Sequence, residues 1–173
     1  WVVNNTIFRA NGGVFVQFSP NAFISNNLLT GNIEWGIRVD DSENTLVVNN
    51  TILEICYSGD HGIWISNSSR SIIAENCIIE SADANGPNFG IRLHQSNFCK
   101  IFDNQILNSS YCGGLTFEQS SNNIAQSNKI SMSTQYFYGD PAINLNSGSN
   151  NNTLWANILT AEHVQTGIRV SSS

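Results

Sequence analysis

The chain has 173 residues, 40% hydrophobic and 12% charged, with a formal charge of −6 and a sequence pI near 4.8. Asn supplies 26 residues and Ser 22, a polar but uncharged composition that separates the chain from coiled coils and from charged disordered segments. Thirteen acids against seven bases argue against a phosphate-tracking nucleic-acid binder, and no apolar run approaches the roughly 18 residues of a membrane span, so neither nucleic acid nor membrane insertion is expected.

The first element is the short apolar strand Trp1-Val2-Val3; the sequence opens on it with no Met, basic region or apolar targeting segment, so any targeting signal is expected to have been removed or to lie outside it. Asn5 and Ile7 follow, then Gly13-Val14-Phe15-Val16, in which Val14 and Val16 point one way and Phe15 the other. The pattern then recurs along the chain. Gly36-Ile37-Arg38-Val39, Gly62-Ile63-Trp64-Ile65, Gly90-Ile91-Arg92-Leu93, Gly114-Leu115-Thr116-Phe117, Ala142-Ile143-Asn144-Leu145 and Gly167-Ile168-Arg169-Val170 repeat the alternation. Every second and fourth position is aliphatic or Phe, as expected of a strand with one face in a core. Fourteen or fifteen residues beyond each of the first six copies stands an Asn, at 27, 50, 76, 104, 128 and 157, and Asn5 is the same element of the opening unit. Two residues further on lies an aliphatic: Ile7, Leu29, Ile52, Ile78, Ile106, Ile130 or Leu159. Between the two landmarks runs another apolar strand, such as Leu46-Val47-Val48 or Ile72-Ile73-Ala74, and Ser recurs six residues after the Gly at Ser19, Ser42, Ser68, Ser96, Ser120 and Ser173.

Three short strands per period of about 25 residues predict an all-β parallel solenoid of about seven coils, each pairing with its neighbours about 4.8 Å away. Stacked corner Asn residues would form an internal ladder, which Asp could not because its like charges would repel. Leucine-rich repeats share the period, but Ile outnumbers Leu twenty to ten and no stretch has helical periodicity; a six-residue hexapeptide beat is also absent. The expected organisation is one domain over residues 1–173, a segment of a longer chain or a subunit that stacks end to end on its own copies.

On these Gly-Ile-x-Val strands and this Asn column the chain resembles the right-handed parallel β-helix, pectin-lyase-like superfamily. The resemblance implies a polysaccharide groove formed by the Gly-Ile-x-Val sheet and its flanking loops. The return from Asn to the next Gly varies in length, so the loops gather on one edge, the longest spanning Ile52–His61, Ile78–Phe89 and Ile130–Pro141.

The outward residues of that sheet supply the candidate site. Arg38 and Arg92, two coils apart, could clamp acidic sugars through bidentate pairs, with Trp64 between them as a stacking platform. Trp35, Phe89 and Glu118 complete the expected substrate-binding set. Asp60, His61, Arg92 and His94 are the catalytic candidates: elimination from a uronate needs a base near the carbon acid and a cation at the carboxylate. Asp40 or Asp60 could hold a Ca²⁺ through oxygen ligands, the one cofactor the residues suggest. Hydrolysis would instead use two carboxyls, for which Glu34 and Asp60 qualify. Asp60-His61-Gly62 resembles the Gly-His-Gly element of polygalacturonases except at its first residue, and Asp140-Pro141 resembles the start of the Asp-Pro-His motif of alginate epimerases, with Ala142 at the His.

Cys56, Cys77, Cys99 and Cys112 fit an oxidising compartment or equally a set of free buried thiols, and none forms a Cys-x-x-Cys pair. The sequence supports two functions: an extracellular or cell-surface module that binds acidic polysaccharide and cleaves it as a lyase or hydrolase, or a non-catalytic β-helix that builds a stalk, surface layer or fibre.

Overall fold

In the computed structural model, residues 1–32, 34–54, 61–79, 89–107, 113–133, 141–162 and 166–171 are described. The repeated segments form three parallel sheets of seven strands each, and strands adjacent in a sheet are one repeat apart in sequence. Sheet A contains Val2–Val3, Phe23–Ser25, Leu46–Val48, Ile72–Ala74, Lys100–Phe102, Ile124–Gln126 and Thr153–Trp155. Sheet B follows the Asn corner, with Thr6–Phe8, Leu28–Thr30, Thr51–Leu53, Cys77–Ile79, Gln105–Leu107, Lys129–Ser133 and Ile158–Glu162. Sheet C holds the Gly-Ile-x-Val segments in Gly12–Gln17, Trp35–Asp40, His61–Ser66, Phe89–His94, Gly113–Glu118, Ile143–Asn146 and Ile168–Val170. The expected solenoid of three strands per coil is therefore the observed one.

Register follows the hydrophobic pattern. Ile37, Ile63, Ile91, Leu115 and Ile143 stack in sheet C, with Val39, Ile65, Leu93, Phe117 and Leu145 as a second inward column. Opposite them lie Ile52, Ile78, Ile106 and Ile130 of sheet B and Val47, Ile73 and Ile101 of sheet A, all essentially without solvent contact. Each fully buried Ile contributes roughly 2–3 kcal/mol by leaving water. Ile168 and Val170 hold the same positions on the last strand but are 48% and 73% exposed, because that strand is paired on one side alone.

Strands this short need sharp corners, and the corners account for the composition. The residue after most strands of sheets A and C takes a left-handed conformation: Asn26, Asn49, Glu75, Asp103, Ser127 and Ala156 all have φ between 52° and 56°. Asn tolerates this conformation better than most residues, which favours it at the bend. The Asn that follows the sheet A bend turns inward and builds the ladder. Asn27 Nδ2 donates to Asn50 Oδ1 at 2.9 Å, and the contact recurs from Asn50 to Asn76, Asn76 to Asn104, Asn104 to Asn128 and Asn128 to Asn157 at 2.9–3.0 Å. Each carbonyl also accepts the backbone N–H of the preceding Asn, as in Asn50 N to Asn76 Oδ1 at 3.0 Å.

A second ladder crosses the corner between sheets C and A. Ser42, Ser68, Ser96 and Ser120 are fully buried, and each hydroxyl accepts the backbone N–H of the serine one coil earlier at 2.9–3.1 Å. Its next member is Ser149, which accepts from Ser120 N at 3.1 Å. The sequence spacing passes over this residue because the sixth unit carries one extra residue before it; Ser173 lies outside the described residues.

Cys77 and Cys99 are free thiols, and Cys56 and Cys112 lie outside the described residues. Cys99 is buried, and desolvation pushes its thiol up from 9.0 to about 11, against smaller opposing hydrogen bonds from the Ser71 and Arg70 backbone. The unfolded chain releases this proton first, so the Cys99 contribution to stability is complete below pH 9 and is lost as pH rises towards 11. Urea unfolding at pH 8 and pH 10.5 should show a decline of roughly 1–2 kcal/mol that Cys99→Ala lacks; equal declines in both proteins would refute it.

Candidate functional site

Sheet C turns one column of side chains outward, and parallel pairing places residues about 25 positions apart side by side. Phe15, Arg38, Trp64, Arg92, Thr116, Asn144 and Arg169 are consecutive partners in that column. Two residues further along the strands, Asp40 pairs with Ser66, Ser66 with His94 and His94 with Glu118. At the strand starts Trp35 pairs with His61 and His61 with Phe89.

Arg38 sits among three rings. Its guanidinium carbon lies 4.2 Å from the Trp64 ring centroid, 5.3 Å from Trp35 and 5.4 Å from Phe15. Arg92 approaches the same Trp64 ring at 5.1 Å, so one indole serves two cations. Both guanidiniums are also paired to carboxylates. Arg38 donates through Nε at 2.9 Å and Nη2 at 2.7 Å to Asp40 Oδ2, and Arg92 Nη2 donates to Glu118 Oε2. The pairs are mostly covered by protein, and a low-dielectric setting strengthens them relative to a solvated surface pair.

His61 is buried at the floor of this cluster, edge-on to Trp64 at 5.0 Å and stacked on Phe89 at 5.5 Å. Arg92 Nη1 lies 3.0 Å from His61 Nε2. A guanidinium can only donate, so Nε2 accepts, and the imidazole is neutral with its proton on Nδ1. That lone pair is engaged by Arg92 before any ligand arrives. Arg92 itself holds Glu118 and His61 at once. Trp35 Nε1, Trp64 Nε1 and Arg92 Nε are buried donors without an acceptor among the described residues.

The structure thus gathers Arg38, Trp64, Trp35, Phe89, Glu118, His61, Arg92 and Asp40 of the expected set into one continuous cluster. His94 stands beside it, its Nδ1 3.4 Å from Ser66 Oγ. Asp60, Asp140 and the long loops beside the sheet lie outside the described residues. Asp40 was expected to offer oxygens to Ca²⁺, but its Oδ2 is held by Arg38, and among the described residues no three His, Cys, Asp or Glu side chains converge on a metal position. The described carboxylates alone therefore do not make up a Ca²⁺ site, and Asp60, the other expected ligand, lies outside the described residues. Phe15 is the member the sequence analysis left out; its place one repeat before Arg38 in the outward column was the available signal.

The profile of the family described as right handed beta helix region matches residues 1–130. The chain belongs to that family. No curated protein matches the sequence. Among solved structures, this β-helix is similar to a double mutant of the periplasmic alginate epimerase AlgG, with a TM-score of 0.79 and 20% identity over 100% of the chain. It is similar also to the A-module of the Azotobacter vinelandii mannuronan C-5 epimerase AlgE6, with a TM-score of 0.52 and 12% identity over 99% of the chain. The β-helix spans 38% of the first of those chains and 58% of the second. At these identities the likeness is one of fold. Among the described residues no helix is long and apolar enough to cross a membrane.

Proposed function

We propose that this β-helix binds an acidic polysaccharide along the outer face of sheet C, outside the cytoplasm. One observation carries the reading: Phe15, Arg38, Trp64 and Arg92 alternate rings and guanidiniums on four adjacent strands, with ring-to-cation distances of 4.2–5.4 Å. Rings stack on the apolar faces of sugars, and guanidiniums favour carboxylates. Spacing by coil, about 4.8 Å per step, presents these groups as a regular track to a polymer lying along the solenoid axis. The two similar structures are named as epimerases of alginate and mannuronan, which supports a carboxylated chain as ligand.

The aromatic and cationic parts have separable effects. Wild-type protein should bind a polyuronate such as polygalacturonate, and Trp64→Ala should weaken binding about tenfold by removing the ring shared by both arginines. Affinity electrophoresis or titration calorimetry measures this. Absence of binding to acidic and neutral glycans alike would remove the reading. Absorbance of unsaturated uronates, and solvent hydrogen exchange at C5 of the sugar, read whether a bound chain also reacts.

A further inference from the structure

Both outward arginines of the central coils already hold a carboxylate. Asp40 lies two residues beyond Arg38 on the same strand, while Glu118 reaches Arg92 from the adjacent strand. The two pairs are built differently: Arg38 meets Asp40 Oδ2 through Nε and Nη2, whereas Arg92 meets Glu118 Oε2 through Nη2 and gives Nη1 to His61. Side-chain exposures of 27% for Arg38, 22% for Arg92 and 28% for Glu118 put these three groups within reach of a ligand, while Asp40, at 10%, is largely covered and is opened to exchange only through Arg38. Among the described residues of the sheet C strands, Arg38, Arg92 and Arg169 stand against Asp40 and Glu118, so two of the three arginine charges on this face are offset internally.

We propose that Asp40 and Glu118 are internal stand-ins for ligand carboxylates and set the selectivity of this face between acidic and neutral glycans. The inference rests on the glycan-binding reading above. With both stand-ins in place, an incoming uronate must displace one carboxylate for another, so its charge adds little affinity and ring stacking carries binding. A uronate that displaces Glu118 takes over the Arg92 Nη2 donor and leaves the Arg92–His61 contact intact. The exchange involves no bond making or breaking, only replacement of one ion pair by another.

The test compares wild type, Asp40→Asn, Glu118→Gln and the double variant Arg92→Ala/Glu118→Gln, using polygalacturonate and its fully methyl-esterified form as probes. Each neutralised acid frees one guanidinium and should tighten polygalacturonate binding by about threefold or more at low salt. The gain should vanish at high salt, be absent with the methyl ester, and be abolished for Glu118→Gln when Arg92 is also removed. Weaker polygalacturonate binding by Glu118→Gln would show that Glu118 positions Arg92 for the ligand, and unchanged binding would place the pair outside the ligand's path; either overturns the inference while leaving the glycan-binding reading in place. Tighter polygalacturonate binding by the single variants, with wild type binding both probes about equally, supports the inference. Failure of every protein, wild type included, on both probes removes the underlying reading and the inference with it. Thermal melts of each variant separate a binding change from loss of fold.

Discussion

Asn76→Ala is expected to lower the stability of the chain by about 4 kcal/mol or more, and its melting temperature by roughly 10 °C. The Asn76 amide makes five contacts inside the protein. Its Nδ2 donates to Val47 O, Ala74 O and Asn104 Oδ1, and its Oδ1 accepts from the backbone N–H and the Nδ2 of Asn50. Truncation leaves partners on three coils unsatisfied at a position with almost no solvent contact. Asn76→Asp has nearly the same outline and should fare no better. It sets an acidic oxygen against the three oxygens that Nδ2 now serves, with no cation at hand. Asn5→Ala, at an exposed corner, should cost about 1 kcal/mol. Urea or thermal unfolding of the three variants checks the ordering, and a loss under about 1 kcal/mol for Asn76→Ala would refute the role given to the ladder.

The second large effect is expected at Gly62. A Cβ there would lie 2.5 Å from Gly90 O and 2.7 Å from Ile78 Cγ2, one a backbone atom of the next coil and the other part of a fully buried side chain. Neither can move without parting sheet C from its neighbours, so Gly62→Ala should cost about 3 kcal/mol or more. Because Gly62 follows His61 directly, the strain should also reach the His61–Arg92 contact and reduce glycan binding. Gly148 is the useful contrast: it has nothing within 4 Å of an added Cβ but has φ of +78°. Gly148→Ala therefore meets only backbone strain of about 1 kcal/mol, and binding should be unchanged. If the two substitutions destabilise equally, close packing of the coils is not what requires glycine in sheet C.

These two cases show why the fold was legible and the site less so. Ile63, Asn76 and Gly62 answer demands that every coil makes again: an inward aliphatic, a corner amide, and room for a neighbouring carbonyl. Repetition makes such demands visible without coordinates. It also fixes register, which is why the outward column from Phe15 to Arg169 could be written down from the sequence. Pairing within that column is not periodic. Arg38 turns to Asp40 on its own strand, while Arg92 turns to Glu118 on the next, and spacing alone does not choose between a free guanidinium and a paired one. His61 illustrates the same limit. Its position before Gly62 marks it as conspicuous, but its burial between Trp64 and Phe89, with Arg92 holding Nε2, depends on side chains from two adjacent coils meeting at one point.

The asparagine column has one property that no single residue reveals. From Asn5 to Asn157 every side-chain NH₂ points to the following carbonyl, so the amide dipoles add in one sense along the molecular axis. The filament has an acceptor pole towards its first coil and a donor pole towards its last, a polarity analogous to that of an α-helix. Continuation of the column is therefore vectorial. A further turn, or another copy of the molecule, can extend it only head to tail, since a two-fold junction would oppose oxygen to oxygen or amine to amine.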